Sequence, residues 1–267
     1  MKAEQRKDLI NLLRKVIYEL TGNYYPEERM KILEYKVERL IKDLNLNVSS
    51  PEEIVSYFRA SPEREKTLID LMTVPETRFF REKEQLDILF EEVIKDISTL
   101  SIASVGCSTG QEPYTLAMIM EKKGISGKII GMDINVKVLE EARKGVYKSE
   151  EIKDIPPDYR DFVYLKDSVM CIKDKIKKRV DFYQANLIRK EDFMPFSGNF
   201  GIVFCRNVLI YFDSDSKRIA LENLALIMKK KGILVLSSTE ILSRELQILF
   251  ETFKKGKFFF YRKRKNL

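Results

Sequence analysis

The run Ser104-Val105-Gly106-Cys107-Ser108-Thr109-Gly110-Gln111-Glu112-Pro113-Tyr114 carries the residues with the plainest chemical meaning. Gly106-Cys107-Ser108-Thr109-Gly110 matches G-x-S-x-G, the elbow that presents a nucleophilic serine in α/β-hydrolases. That serine needs a histidine to take its proton, and the chain has 0 histidines. The same absence removes Cys-His catalysis and His-metal sites. The 3 cysteines, Cys107, Cys171 and Cys205, form no C-x-x-C pair, so neither a metal cage nor a disulfide framework is expected. They read as reduced, mostly buried thiols. What remains is a strand that turns sharply on glycine into a helix, where backbone N–H groups suit a nucleotide-like ligand.

Asp133 closes the next strand-like stretch, and an acid there accepts hydrogen bonds from ribose hydroxyls in dinucleotide-binding folds. Nicotinamide-type and S-adenosylmethionine-type sites share this glycine–acid pairing, and a surface turn followed by a solvent-facing Asp has the same pattern. The three-glycine phosphate fingerprint is absent, because Gln111-Glu112-Pro113 follows Gly110. Glu112 would repel a pyrophosphate but suits a cationic ligand such as a sulfonium. Two later strand ends carry Asn186-Leu187 and Cys205-Arg206-Asn207-Val208-Leu209-Ile210-Tyr211-Phe212. Ligands of open α/β sheets bind beyond the carboxyl ends of the strands, so Gly106, Glu112, Asp133, Asn186 and Asn207 are expected to converge on one crevice.

The elements that must position these residues follow from periodicity. Strands are expected at 102–106, 128–133, 180–184, 200–205 and 232–237, and helices at 112–123, 135–144 and 214–229, an α/β alternation that predicts a mainly parallel sheet covered by helices. Leu249–Phe253 and Phe258–Tyr261 flank Gly256 and predict a hairpin closing the sheet. The irregular, charged stretch at about 148–180 predicts a short helix and a small subdomain. Upstream, residues 3–21 and the stretch after Pro26 have apolar residues at helical spacing, and Ser50-Pro51-Glu52-Glu53 and Ser61-Pro62 mark two further helix starts, so the first 72 residues read as an all-helical domain. In the second helix Lys31, Tyr35, Arg39 and Lys42 share one side, which is either an ordinary solvated back or a docking face for an acidic partner. Between the domains, Phe79 and Phe80 read as core, packed so that Arg81 is held rigidly.

Composition narrows the classes further. The net charge of +7 is concentrated at residues 254–267, so a solvated basic tail is expected rather than a nucleic-acid partner. No apolar run of about 18 residues and no signal-peptide core occur, so no membrane insertion and a cytoplasmic location are expected.

Taken in order, Glu76-Thr77-Arg78-Phe79-Phe80-Arg81-Glu82, Ser108-Thr109-Gly110-Gln111-Glu112-Pro113-Tyr114, Asp133-Ile134, Asn186-Leu187 and Phe204-Cys205-Arg206-Asn207-Val208-Leu209-Ile210-Tyr211-Phe212 resemble the S-adenosylmethionine-dependent CheR-type glutamate methyltransferases of chemotaxis receptors. The resemblance implies a Rossmann-like methyltransferase sheet at 73–267, an N-terminal helical domain at 1–72 and a small inserted subdomain at 148–180. It implies cofactor contacts from Thr77, Arg81, Glu112, Asp133, Asn186, Leu187, Asn207 and Val208, beside the Gly106 turn, with Arg81 and Tyr211 bordering the reacting methyl. The family often has Asn where this chain has Pro75, so no side-chain contact is assigned there. Phe162 to Arg179 lacks the glycine-containing loop of members that grip a receptor tail, which implies tail-independent recognition. The implied partners are the cytoplasmic helices of methyl-accepting chemoreceptors, met by a monomer that forms glutamyl methyl esters. The alternatives are a methyltransferase acting on another substrate, a non-catalytic S-adenosylmethionine-binding sensor or scaffold, and a nicotinamide dehydrogenase, the last disfavoured by the missing third glycine.

Overall fold

A computed structural model of the chain describes residues 3–46, 50–94 and 97–264. They form two compact units, one of residues 1–74 with 211–216, the other of 75–210 with 217–267. Lys265, part of the basic tail, lies outside the described residues.

The first unit is helical: α1 (Ala3–Thr21), α2 (Met30–Asp43), α3 (Pro51–Arg59) and α4 (Pro62–Met72). The apolar stripes face inward, burying Leu9, Leu13, Ile17, Leu33, Val37 and Phe58. The predicted caps are present: the hydroxyls of Ser50 and Ser61 accept from the N–H groups of Glu53 and Arg64, and each is followed by Pro at the first helical turn. At the far end of α4, Lys36 Nζ donates to the carbonyls of Met72 (2.6 Å) and Thr73 (3.2 Å), closing a helix end that has no glycine.

The second unit opens with α5 (Lys83–Ile88), then β1 (Ile102–Val105), α6 (Gln111–Lys122), β2 (Ile129–Asp133) and α7 (Val136–Lys144). There follow β3 (Val146–Lys148), β4 (Val163–Lys166), β5 (Val169–Ile172), α8 (Asp174–Lys177), β6 (Val180–Gln184), α9 (Lys190–Phe193) and β7 (Phe200–Phe204). The chain finishes with α10 (Ser214–Ile227), β8 (Met228–Val235), β9 (Phe250–Lys255) and β10 (Phe258–Lys263), the first three residues of α10 being grouped with the first unit. The main sheet runs β6-β2-β1-β7-β8-β10-β9, with its first five strands parallel and β10 antiparallel to both neighbours. This is a Rossmann-like α/β fold. Its inner strands β1 and β7 are buried on both faces, because helices cover a parallel sheet on each side, while the edge strand β6 exposes Asp181, Tyr183 and Gln184.

The largest departures from the expected boundaries surround β8. Helix 214–229 stops at Ile227, and the following strand starts at Met228 instead of 232. Pairing shifts register between Phe200 and Ile202, and the exposed Lys229, Lys230 and Lys231 form the irregular part, with Lys231 at φ +62°. Three lysines suit a helix C-terminus equally well, so local preference could not place the change. The inserted region is a three-stranded antiparallel sheet, β3-β5-β4, whose first strand leaves α7 directly at Val146, before the irregular stretch begins.

Candidate cofactor site

The carboxyl ends of β6, β2, β1 and β7 lie side by side in the sheet. After β1, Gly106 takes φ +75° and donates its N–H to Met132 O at 2.7 Å. A Cβ here would lie 2.3 Å from Val208 Cγ2, so torsion and close approach both demand glycine. The turn after β1 therefore rests against the loop after β7. Gly110, at φ +92°, begins α6, and a Cβ there would meet Ala142 Cβ at 2.8 Å.

Asp133, at the end of β2, is fixed across this turn. Its Oδ2 accepts from Ser108 N–H at 2.8 Å and its Oδ1 from Asn135 N–H at 2.9 Å. Beside it, Ala185 N–H donates to Asp133 O at 3.0 Å, bringing the end of β6 alongside. There Asn186 is buried, its Oδ1 accepting from Ile188 N–H at 3.2 Å, and Asn223 Nδ2 holds the Leu187 carbonyl at 2.8 Å.

Glu112 differs from a free anion at the helix start. Its Oε1 accepts from Ser104 Oγ at 2.7 Å and its Oε2 from Arg206 Nε at 2.6 Å. Arg206, whose side chain is only 3% exposed, also donates from Nη1 to the Arg81 carbonyl at 2.8 Å and lies 3.5 Å from Glu82 Oε2. The guanidinium thus ties the segment before α5 to α6 and to the loop after β7, a positioning duty that its sequence context left open. Arg81 itself is part-exposed, with Nη2 3.7 Å from Glu76 Oε1. Thr77 is half-buried on the same segment, while Phe79 and Phe80 are core. Tyr211 belongs to the first unit, where its carbonyl accepts from Tyr24 N–H at 2.8 Å.

Among the described residues with positive φ that are not glycine, Ser108 (+49°) and Asn207 (+59°) follow β1 and β7, and Phe80 (+52°) and Glu82 (+53°) stand in the segment before α5 that Arg206 ties to them, while Asn45, Asp167 and Lys231 lie elsewhere. Such torsions persist where surrounding contacts over-determine them, and they concentrate at ligand sites. Burial pushes the Cys107 thiol well up, aided by Asp133 and Glu112, and pushes Cys205 up likewise, aided by Glu240 and Glu112. Both stay protonated, so neither supplies a nucleophile.

Residues 75–259 match the family described as CheR methyltransferase, SAM binding domain. The chain belongs to this family. It is similar to a chemotaxis protein methyltransferase of Borreliella burgdorferi, at 30% identity with 94% of this chain and 95% of that protein covered. It is also similar to chemotaxis protein methyltransferase 2 of Vibrio cholerae, at 31% identity with 86% and 84% covered. A chemotaxis protein methyltransferase of Vibrio parahaemolyticus is 34% identical, with 66% of this chain and 68% of that protein covered.

The cofactor of this CheR-family chain is S-adenosylmethionine, and the site fits it. Ser108 Oγ, on the turn after β1, and Asn207 Oδ1, on the loop that touches that turn, are buried without a hydrogen-bond partner. Buried polar atoms seldom stay unpaired, and a polar ligand between strand ends would satisfy them. Ser108 read from sequence as a turn residue only. Glu82 and Arg206 stand in the motifs that carry the resemblance but had no role assigned there, and Glu240, held to the Asn207 and Ile210 N–H groups, had no sequence signal beyond an acid a few residues after a strand.

Proposed function

We propose that the protein transfers a methyl group from S-adenosylmethionine to glutamate carboxylates on the signalling helices of chemoreceptors, forming glutamyl methyl esters. The observation that carries this reading is correspondence along 94% of the chain with a protein named a chemotaxis protein methyltransferase. In this reading residues 1–72 are a helical domain and 73–267 the methyltransferase domain with its insertion at 148–180. The cofactor is held by Thr77, Arg81, Gly106, Glu112, Asp133, Asn186, Leu187, Asn207 and Val208.

The bound sulfonium supplies an already activated methyl. A glutamate carboxylate is ionised at neutral pH, so the protein need only orient it in line with the methyl and exclude water, which suits a chain with 0 histidines. Arg81 orients the incoming carboxylate through a charge-assisted hydrogen bond, and its backbone is held for this by Arg206. Tyr211 is a second contact near the methyl. The exposed face of α2, with Lys31, Tyr35, Arg39 and Lys42, supports a helical partner rich in carboxylates. In this reading the protein acts in the cytoplasm as a monomer on the receptors' cytoplasmic helices; among the described residues no helix is long and apolar enough to cross a membrane.

The test is to incubate the protein with methyl-labelled cofactor and receptor-containing membranes. Label released as methanol by mild base is expected, as a glutamyl ester requires. Base-stable label would overturn carboxyl methylation, and absence of label with cofactor still bound would favour a sensor. Arg81→Ala is expected to lower turnover about 100-fold or more while cofactor affinity falls much less; unchanged turnover would remove Arg81 from the site.

A further inference from the structure

The loop after β7 adopts a strained torsion at Asn207 without any glycine. What holds it comes from the far side of the next strand. Beyond β8 the chain turns through Ser237, Ser238, Thr239 and Glu240, and Glu240 is buried at 7% exposure. Its Oε2 accepts from Asn207 N–H at 2.7 Å, Ser237 N–H at 3.2 Å and Ser237 Oγ at 2.8 Å, and its Oε1 accepts from Ile210 N–H at 3.2 Å. One carboxylate therefore grips both ends of the segment Asn207–Ile210. The same turn reaches the segment before α5, since Ser238 N–H donates to Glu82 Oε1 at 3.0 Å.

From this arrangement we infer that Glu240 is a positioning residue for the cofactor: it sets the backbone of Asn207–Ile210 so that Asn207 and Val208 meet the ligand. The inference rests on the proposed cofactor contacts of that loop. Only an acceptor-only group fills the position, because every neighbour that touches it is a donor. A glutamine would turn an NH2 group toward at least one of these N–H donors and leave it unpaired, releasing the loop from its φ of +59° at Asn207. The Asn207 side chain, whose Oδ1 has no partner of its own, would then lose its aim.

The experiment measures S-adenosylhomocysteine affinity by calorimetry for the full-length protein, Glu240→Gln, Asn207→Ala and the double variant, with thermal melts reporting folding. Each single change is expected to weaken binding about 10- to 30-fold. Because Glu240 acts through the loop that carries Asn207, the double variant should bind clearly better than the product of the two single losses, whereas a purely structural carboxylate would give losses that multiply. Folded Glu240→Gln with unchanged affinity, or fully multiplicative losses, overturns the inference. Wild-type affinity in Asn207→Ala overturns the loop's place in the site, and the inference with it; weakening there without weakening in Glu240→Gln overturns the inference alone. Should Glu240→Gln not fold, Glu240→Asp carries the test, since it keeps the acceptor but shortens its reach to the Asn207 and Ile210 N–H groups. It is expected to weaken binding about threefold; no change would overturn the assignment.

Discussion

The turn after β1 and the loop after β7 touch, and they reach strained backbone by opposite means. The first spends glycine where the torsion is positive and space is shortest, at Gly106 and Gly110, with Ser108 pinned between them by Asp133. The second has no glycine at all. Asn207, a residue type that tolerates the left-handed region, sits there at φ +59° with its N–H held by the buried Glu240 and with the buried Arg206, paired to Glu112, immediately before it. A glycine turn is made by local freedom and fails when a Cβ is added. A loop held by buried charge is made by distant chain and fails when a partner is removed.

The largest expected effect breaks the second loop. Arg206→Met leaves Glu112 and Glu82 without their shared cation in a site where the guanidinium is only 3% exposed. A loss of about 3–5 kcal/mol is expected in denaturant melts; a loss below about 1 kcal/mol would mean that the ion pairs do not hold the loop. Next, Gly106→Ala places a Cβ 2.3 Å from Val208 Cγ2 at φ +75° and should cost about 2–4 kcal/mol. Adding Val208→Ala should restore the packing part and leave the torsional part, so full restoration would show that glycine's torsion is unimportant there.

Smaller changes separate ligand contact from scaffold. Ser108→Ala removes a buried hydroxyl that has no protein partner, so stability should stay level or rise by up to about 1 kcal/mol. Cofactor affinity should nevertheless fall several-fold by calorimetry; affinity equal to wild type would return Ser108 to a plain turn residue. The smallest effect tests a helix end held by charge in the first unit. Burial lowers Lys36 from 10.5 to about 8. Between those values the unfolded chain binds a proton that the folded chain has released, so the contribution of Lys36 to stability rises as pH climbs from about 8 to 10.5. The stability difference between wild type and Lys36→Met should increase across that window, by less than about 1 kcal/mol after solvent screening. A flat difference would show that Lys36 is not desolvated.

The sequence was most legible where chemistry is local. The strand-to-helix turn, the Ser50 and Ser61 caps and the closing hairpin rest on residue types whose torsional or capping preferences act within a few positions. Of the site, Gly106 and Asp133 could be paired from strand order alone, because parallel neighbours place their carboxyl ends together. Glu112 was read as an acid at the turn suited to a cationic ligand; its engagement with Arg206, 94 positions along the chain, has no local signature. The start of β8 was missed because its lysines serve a helix end as well as a bulge.

By itself, then, the chain determined where backbone must bend, which faces are apolar, and that no histidine-dependent chemistry is available. Tertiary structure alone decided which charges meet. Arg206 satisfies Glu112 and carries the Arg81 carbonyl, and Glu240 takes the N–H groups of Asn207 and Ile210. The reason is physical: a torsional preference belongs to one residue, whereas a buried charge is tolerable only beside partners that the whole fold must deliver.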